Sequence, residues 1–141
     1  MDTLSITATL DKLPEIMEFV RNFSLSHSAT AEQLMAIELA VEEIVVNIIN
    51  YAYPENNPGS IELSCQINTN NQLIIQITDG GEKYNPLSRG EPNINASVEE
   101  RGVGGLGVFL TKQMMDDVIY KYENAKNILT LTKNLDANEK P

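Results

Sequence analysis

The sequence is poor in the residues on which several kinds of functional site depend. Its 141 residues include one cysteine, Cys65, one histidine, His27, and no tryptophan. A single cysteine cannot form an internal disulfide, and this cysteine usage is typical of a protein kept in a reducing cytosol. One histidine and one cysteine are too few for a zinc site built from such ligands, and we expect no cysteine–histidine dyad. We expect Cys65 in the core and His27 at a helix end.

Basic residues and long apolar runs are also scarce. The chain has ten lysines and arginines and twenty aspartates and glutamates, so its formal net charge is −10. This balance argues against a general nucleic-acid binder but allows one nucleotide held with Mg²⁺. There is no apolar run of about 18 residues and no basic N-terminal segment, so we expect neither a membrane span nor a secretory signal. The predictions are a cytoplasmic location, one domain over 1–135 and a polar tail over 136–141.

Hydrophobic periodicity predicts the order β-α-α-β-β-lid-α-β-β. The predicted strands cover 5–10, 61–67, 73–77, 118–122 and 128–132. The predicted helices cover 13–25, 31–51 and 106–115, and the aperiodic stretch 82–100 is predicted to form a lid. This order is typical of an α+β two-layer sandwich, in which helices cover one face of a mostly antiparallel sheet.

The second predicted helix carries the first candidate site. Thr30 and Gln33 have the spacing of a capping box. A core stripe is predicted at five positions, namely Ile37, Val41, Ile44, Ile48 and Tyr51.

Glu43 and Asn47, four residues apart, share another face of this helix, beside Ala36, Ala40 and Asn50. Small alanines there would leave room for a ligand. A carboxylate can accept the proton of an attacking hydroxyl, and an amide oxygen can ligate Mg²⁺, so the pair suits phosphoryl transfer. The alternative is an ordinary solvated helix face.

Asp79 is the second candidate, at the end of the third predicted strand. It has the parity of Leu73, Ile75 and Ile77, so its side chain is predicted to point into the interior. A buried carboxylate requires a donor, and the exocyclic amine of adenine is suitable. Gly81 behind it would let a base come close. The alternative is an Asp-Gly turn that closes the strand.

A glycine cluster is the third candidate. Four of the eight glycines fall within six residues, just before a predicted helix: Gly102, Gly104, Gly105 and Gly107. Glycine permits close backbone approach, and a helix N-terminus favours an anion. Arg101 precedes the cluster and is the best placed cation for terminal phosphates. The alternatives are a hinge and an exposed arginine that balances nearby acids.

These three motifs, in this order, resemble the GHKL ATP-binding superfamily. The match is closest to the small anti-sigma-factor serine kinases of the RsbW and SpoIIAB type. Residues 40–53 resemble the N box of that family, 79–86 the first glycine box and 101–107 the second. The resemblance covers roughly 3–133 and implies the Bergerat fold, a mixed sheet with helices on one face. Lys83 stands where the wider superfamily often has a further glycine.

The resemblance also implies roles for the candidates. Glu43 would be the base that acts on a serine hydroxyl, Asn47 the Mg²⁺ ligand and Asp79 the acceptor for the adenine amine. Gly81 would lie under the base. The clustered glycines, Gly102, Gly104, Gly105 and Gly107, would line the triphosphate of ATP beneath the lid.

The function that the resemblance implies is an ATP-dependent serine/threonine kinase in a partner-switching pathway. Its substrate would be a serine of a small STAS-domain antagonist, and a sigma factor and a homodimer are further implied associations. The alternative is a binding module in which ATP sets the shape of the chain and little or no phosphate is transferred. Glu43 favours catalysis, because a pure binding module does not need a carboxylate there.

Overall fold

The computed structural model describes residues 1–85 and 111–136. The chain begins with strand β1, a 3₁₀ turn and two helices, and four further strands follow. The strands are β1 (Asp2–Thr7), β2 (Ser60–Ile67), β3 (Gln72–Asp79), β4 (Asp117–Glu123) and β5 (Lys126–Asn134). The helical elements are the 3₁₀ turn (Leu10–Lys12), α1 (Leu13–Ser26) and α2 (Ala31–Tyr51). Residues 111–114 are helical as well.

The five described strands form one sheet in the order β1-β2-β3-β5-β4. All four pairings are antiparallel, which agrees with the predicted mostly antiparallel sheet, and the described strands include no parallel pair of the mixed sheet that the resemblance implies. Alternate residues on β2, β3 and β5 are buried against α1 and α2. The predicted α+β sandwich is confirmed. Cys65 lies in this core as predicted, and His27 caps the C-terminus of α1.

Helix α2 begins where the sequence predicts, because its first turn is capped reciprocally. The Thr30 hydroxyl accepts the Gln33 N–H at 3.1 Å, and the Gln33 side chain accepts the Thr30 N–H at 2.8 Å. Four members of the predicted stripe are buried, namely Ile37, Val41, Ile44 and Ile48. The prediction is wrong for the fifth, since Tyr51 is 58% exposed. It is the last residue of α2.

Loss of the capping box gives a first prediction. Thr30→Ala removes the acceptor for the Gln33 N–H, so unfolding should become easier by about 1 kcal/mol. Urea denaturation measures this change. Thr30→Ser, which keeps the hydroxyl, is the matched control and should stay within about 0.5 kcal/mol of the parent. Equal losses in the two variants would mean that the cap does not stabilise α2.

Strand β1 was predicted at 5–10 and lies earlier, at Asp2–Thr7. Pairing with β2 sets its position, because Asp2 lies opposite Cys65 and Thr7 opposite Ser60. The chain then turns into the 3₁₀ helix. Leu10, which extended the alternating pattern, is 62% exposed and belongs to that turn.

The last hairpin is tighter than the spacing of the predicted strands 118–122 and 128–132 implies. Glu123 pairs with Lys126, so only two residues connect β4 to β5. Both have positive φ, 55° at Asn124 and 61° at Ala125, as a type I′ turn requires. Alanine rarely adopts this conformation, so an Asn-Ala pair is a weak signal for a two-residue turn.

Several predictions fall on residues outside the described ranges. These are the lid from 86 to 100, the helix from 106 to 110, and the tail from 137 to 141. Within the described ranges, no helix is long and apolar enough to cross a membrane.

Candidate functional site

A cavity of about 440 Å³ opens between the C-terminal half of α2 and the ends of β3 and β5. Its floor is apolar and consists of Ile44, Ile48, Ala52, Ile77 and Leu129. Its polar wall consists of Asn47, Asp79, Glu82, Lys83 and Asn127. Three tyrosines complete it, namely Tyr51, Tyr84 and Tyr120. A flat apolar floor with one buried carboxylate can accommodate an aromatic ring that carries a hydrogen-bond donor.

Asp79 is the buried charge of this cavity. As the parity predicts, it ends β3 on the core face, and it is 7% exposed. The Gly81 N–H donates to its Oδ1 atom at 2.8 Å, so the residue also closes an Asp-Gly turn. The buried carboxylate and the turn are therefore both present, and they stabilise each other because the turn supplies a donor to the charge.

Asn127 is the second donor to that carboxylate. It lies opposite Asp79 in the β3–β5 ladder, and its Nδ2 atom donates to Asp79 Oδ1 at 3.1 Å. The same amide nitrogen reaches the carbonyl of Glu82 at 2.9 Å and that of Gly81 at 3.4 Å. One side chain therefore connects the sheet to the loop that follows β3.

The amide oxygen of Asn127 completes this network from the other side. Its Oδ1 atom accepts the Tyr120 hydroxyl at 2.6 Å and the Tyr84 N–H at 3.0 Å. Tyr120 lies on the strand predicted at 118–122. It packs against the core, but its hydroxyl also belongs to the site. Lys83 lies 5.4 Å from the centre of the Tyr122 ring.

The turn after Asp79 is also fastened to the end of α2. The Tyr53 hydroxyl donates to the Ser60 carbonyl at 2.8 Å and accepts the Gly80 N–H at 2.6 Å. A Cβ atom on Gly81 would lie 2.4 Å from the carbonyl oxygen of Ala52. Glycine is needed at 81 because the backbone passes that close to the helix. Contact of Gly81 with a base stays a prediction.

Asn47 and Glu43 lie on successive turns of α2, about 6 Å apart along its axis. Asn47 lines the cavity, whereas Glu43 is half-buried and lies outside its lining. Partial burial, and to a smaller degree the charge of Glu42, raises the pKa of the Glu43 carboxyl above its usual value. A carboxylate with a raised pKa is a better proton acceptor than an ordinary one.

The predicted room for a ligand beside Ala40 is absent. Ala40 is 1% exposed and belongs to the core, so the cavity lies one to two turns further along α2. The remaining candidates lie outside the described ranges, namely Arg101, Gly102, Gly104, Gly105 and Gly107.

The described side chains of the cavity supply only some of the ligands that a metal ion needs. Among residues 1–85 and 111–136, no three acidic, histidine or cysteine side chains lie close enough to hold a metal ion by themselves. Asn47 offers one hard oxygen on the cavity wall, which suits an Mg²⁺ ion whose other ligands are phosphate oxygens and water.

Comparison with known proteins identifies the fold and the family. The sequence profile of the histidine kinase-like ATPase domain matches residues 6–133. The chain belongs to the histidine kinase-like ATPase family. The family resemblance inferred from the motif order is confirmed, and membership of an ATPase family means that ATP is the nucleotide this chain uses.

Two similar relatives are bacterial protein kinases. The serine/threonine-protein kinase BtrW of Bordetella bronchiseptica is 25% identical over 131 residues, which are 93% of this chain and 92% of the relative. The serine-protein kinase RsbW of Staphylococcus epidermidis is 31% identical over 123 residues, 78% of this chain and 77% of the relative.

A solved structure supports the fold alone. The structure of the RsbU and RsbW domains of a Mycobacterium tuberculosis protein superposes with a TM-score of 0.68 at 14% identity. The match covers 96% of this chain and 33% of that one.

Sequence reasoning missed Asn127 and Tyr53. Asn127 lies just before the strand predicted at 128–132, and only the strand register places it opposite Asp79. Tyr53 lies just after the helix predicted at 31–51, and its role depends on contacts with Ser60 and Gly80. A polar residue at a core-facing position of β5 was the available signal for Asn127.

Proposed function

We propose that this chain is a cytoplasmic ATP-dependent serine/threonine kinase that binds adenine in the cavity between α2 and β3. The observation that carries the proposal is Asp79, a buried carboxylate in the wall of a cavity with an apolar floor, in a chain of an ATPase family. Gly81 and Asn127 donate to its Oδ1 atom. Oδ2, which takes neither bond, would accept the exocyclic amine of adenine.

The adenine ring would lie on the apolar floor, with its sugar and phosphates directed toward Asn47. Asn47 would hold Mg²⁺ together with phosphate oxygens, and the metal would neutralise phosphate charge. The residues Arg101, Gly102, Gly104, Gly105 and Gly107, which lie outside the described ranges, would contact the phosphates. The role of the glycines comes from the family resemblance, and that of Arg101 from its place in the sequence just before them.

Glu43 would supply the base. Its carboxylate would take the proton of a serine hydroxyl as the serine oxygen bonds to the γ-phosphorus, and ADP would leave with the bridging oxygen. Its place one turn before Asn47 puts the proton acceptor beside the metal ligand, on the side where the substrate would enter.

The proposed substrate is a serine of a small STAS-domain antagonist. The relatives named as serine and serine/threonine kinases, and the motif resemblance to anti-sigma-factor kinases, support this assignment. A sigma factor and a second copy of the chain are the further partners that the resemblance implies. The alternative, an ATP-gated binding module, requires the Asp79 site and does not require Glu43.

Nucleotide binding is the first test of this proposal. Mg-ATP and Mg-ADP at 100 times Kd should stabilise the parent chain by about 2.7 kcal/mol and raise its melting temperature, because they bind only the folded state. Asp79→Asn, which keeps the shape but offers a donor, should lose this shift. Thermal unfolding with each nucleotide measures the effect, with Mg-GTP as the comparison.

Asp2→Asn is the matched control, because it removes the same charge at the far end of the sheet. It should keep the ATP-induced shift. Equal shifts in the parent and in Asp79→Asn would mean that Asp79 does not bind the nucleotide. If no nucleotide shifts the melting temperature at millimolar concentration, the proposed function is overturned.

A further inference from the structure

Both polar atoms of the Asn127 side chain are hydrogen-bonded within the protein. Its amide nitrogen donates to Asp79, Gly81 and Glu82, and its amide oxygen accepts from Tyr84 and Tyr120. The side chain is 8% exposed although it lies in the cavity wall. Its hydrogen-bonding capacity is therefore used within the protein, and any effect on ligand binding must pass through the groups that it holds.

Two of those groups define the cavity. Asp79 is the buried carboxylate, and its Oδ1 atom accepts a hydrogen bond from the Asn127 amide at 3.1 Å. The carbonyls of Gly81 and Glu82 belong to the loop that forms one wall, and the nitrogen of Asn127 draws both toward β5. The β3–β5 register, which pairs position 127 with position 79, fixes this arrangement.

We propose that Asn127 is the positioning residue of the nucleotide site: its amide keeps the Asp79 carboxylate aimed into the cavity and holds the following loop in place. The inference rests on the proposed adenine site and adds to it a residue that acts without touching the ligand. It accounts for a fully hydrogen-bonded amide at a position where the strand pattern would place an apolar side chain.

Asn127→Asp is the discriminating variant, because it keeps the shape and replaces the donor by an acceptor. The introduced carboxylate would face Asp79 Oδ1 and two carbonyls, and two carboxylates this close share a proton. We expect ATP affinity at about pH 8 to fall at least tenfold relative to the parent. The affinity should return as the pH is lowered to about 5.5, because the shared proton restores a donor.

The measurement is the ATP dissociation constant of variant and parent at each pH. Their ratio removes the titration of the ATP phosphates, which lies in the same range. Asn124→Asp, the same substitution three residues away in the exposed turn, is the control and should give a ratio near one throughout. A pH-independent ratio for Asn127→Asp, or parent-like affinity at about pH 8, would overturn the proposal.

Two further measurements decide the outcome if Asn127→Asp does not fold at high pH. Tyr120→Phe removes one donor to the Asn127 oxygen and should weaken ATP binding about two- to fivefold, equally at every pH. Unchanged affinity in Tyr120→Phe would count against the network. Thermal unfolding of Asn127→Asp without nucleotide should show stability lost as the pH rises, since the shared proton raises the pKa of the folded pair.

The two proposals fail in different ways. A parent chain that binds no adenine nucleotide overturns the proposed function, and the positioning role falls with it. A parent chain that binds ATP through Asp79, beside an Asn127→Asp variant that binds equally well at every pH, overturns the positioning role alone.

Discussion

Replacing Glu43 by glutamine should lower phosphoryl transfer to the protein substrate by about 10²–10⁴-fold, the usual contribution of a general base. ATP affinity should stay within about twofold, because Glu43 lies outside the lining of the cavity. The two effects separate catalysis from binding. Transfer of radiolabelled phosphate from ATP to a STAS-domain substrate measures the rate, and nucleotide titration measures the affinity.

The pH dependence follows from the raised pKa of Glu43. Only the carboxylate accepts a proton, so the parent rate should fall as the pH drops through that pKa, above the usual glutamate range. Glu43→Gln should lack this acid limb. A pKa raised by folding means that ionised Glu43 destabilises the fold at higher pH, so the uncharged variant should be no less stable than the parent at pH 7. A loss of activity in Glu43→Gln would therefore not result from unfolding of the variant.

Glu42→Gln is the matched control for this experiment. Glu42 is exposed, and its charge contributes to raising the pKa of Glu43. The control should transfer phosphate at the parent rate near neutral pH and move the acid limb to lower pH. Parent-like transfer by Glu43→Gln would contradict the role of base. Absence of transfer by the parent itself, with ATP binding intact, would favour the alternative of an ATP-gated binding module.

The sequence was sufficient to predict the elements that depend on local pattern. The capping box at Thr30 and the inward parity of Asp79 involve neighbours within a few residues, and both are confirmed. The α+β class followed because alternating strands and periodic helices must bury their apolar faces together. The start of β1 is set by its pairing with β2, so the sequence pattern alone placed that start three residues too late.

The features that could not be predicted are contacts between distant segments. Asn127 and Asp79 are 48 residues apart in the chain and become neighbours only through strand register. Tyr51 was predicted in the core because its spacing fits the stripe, but its side chain lines the cavity and is 58% exposed. Periodicity predicts which residues share a helix face and does not predict whether each of them meets the core or an open cavity.

Gly81→Ala should destabilise the chain by about 1–3 kcal/mol, as overpacking does, and should weaken ATP binding at least about tenfold. The added methyl would lie 2.4 Å from the Ala52 carbonyl oxygen and 2.8 Å from the Ala52 Cβ atom. The clash is with backbone, which cannot move aside as a flexible side chain can. The Gly81 N–H would then lose its bond to Asp79 Oδ1, and the buried carboxylate would lose a donor.

Gly80→Ala separates this clash from the general effect of replacing glycine. A Cβ atom there would meet the Tyr53 hydroxyl at 3.5 Å, an ordinary contact. Alanine also lowers the conformational entropy of the unfolded chain. The free energy of unfolding of Gly80→Ala should therefore lie within about 1 kcal/mol of the parent value or slightly above it. Urea denaturation and ATP titration of both variants decide the matter. Equal losses at 80 and 81 would mean that the turn needs glycine for flexibility, whereas a loss confined to 81 would mean that the end of α2 holds the Asp79 turn in the shape that binds ATP.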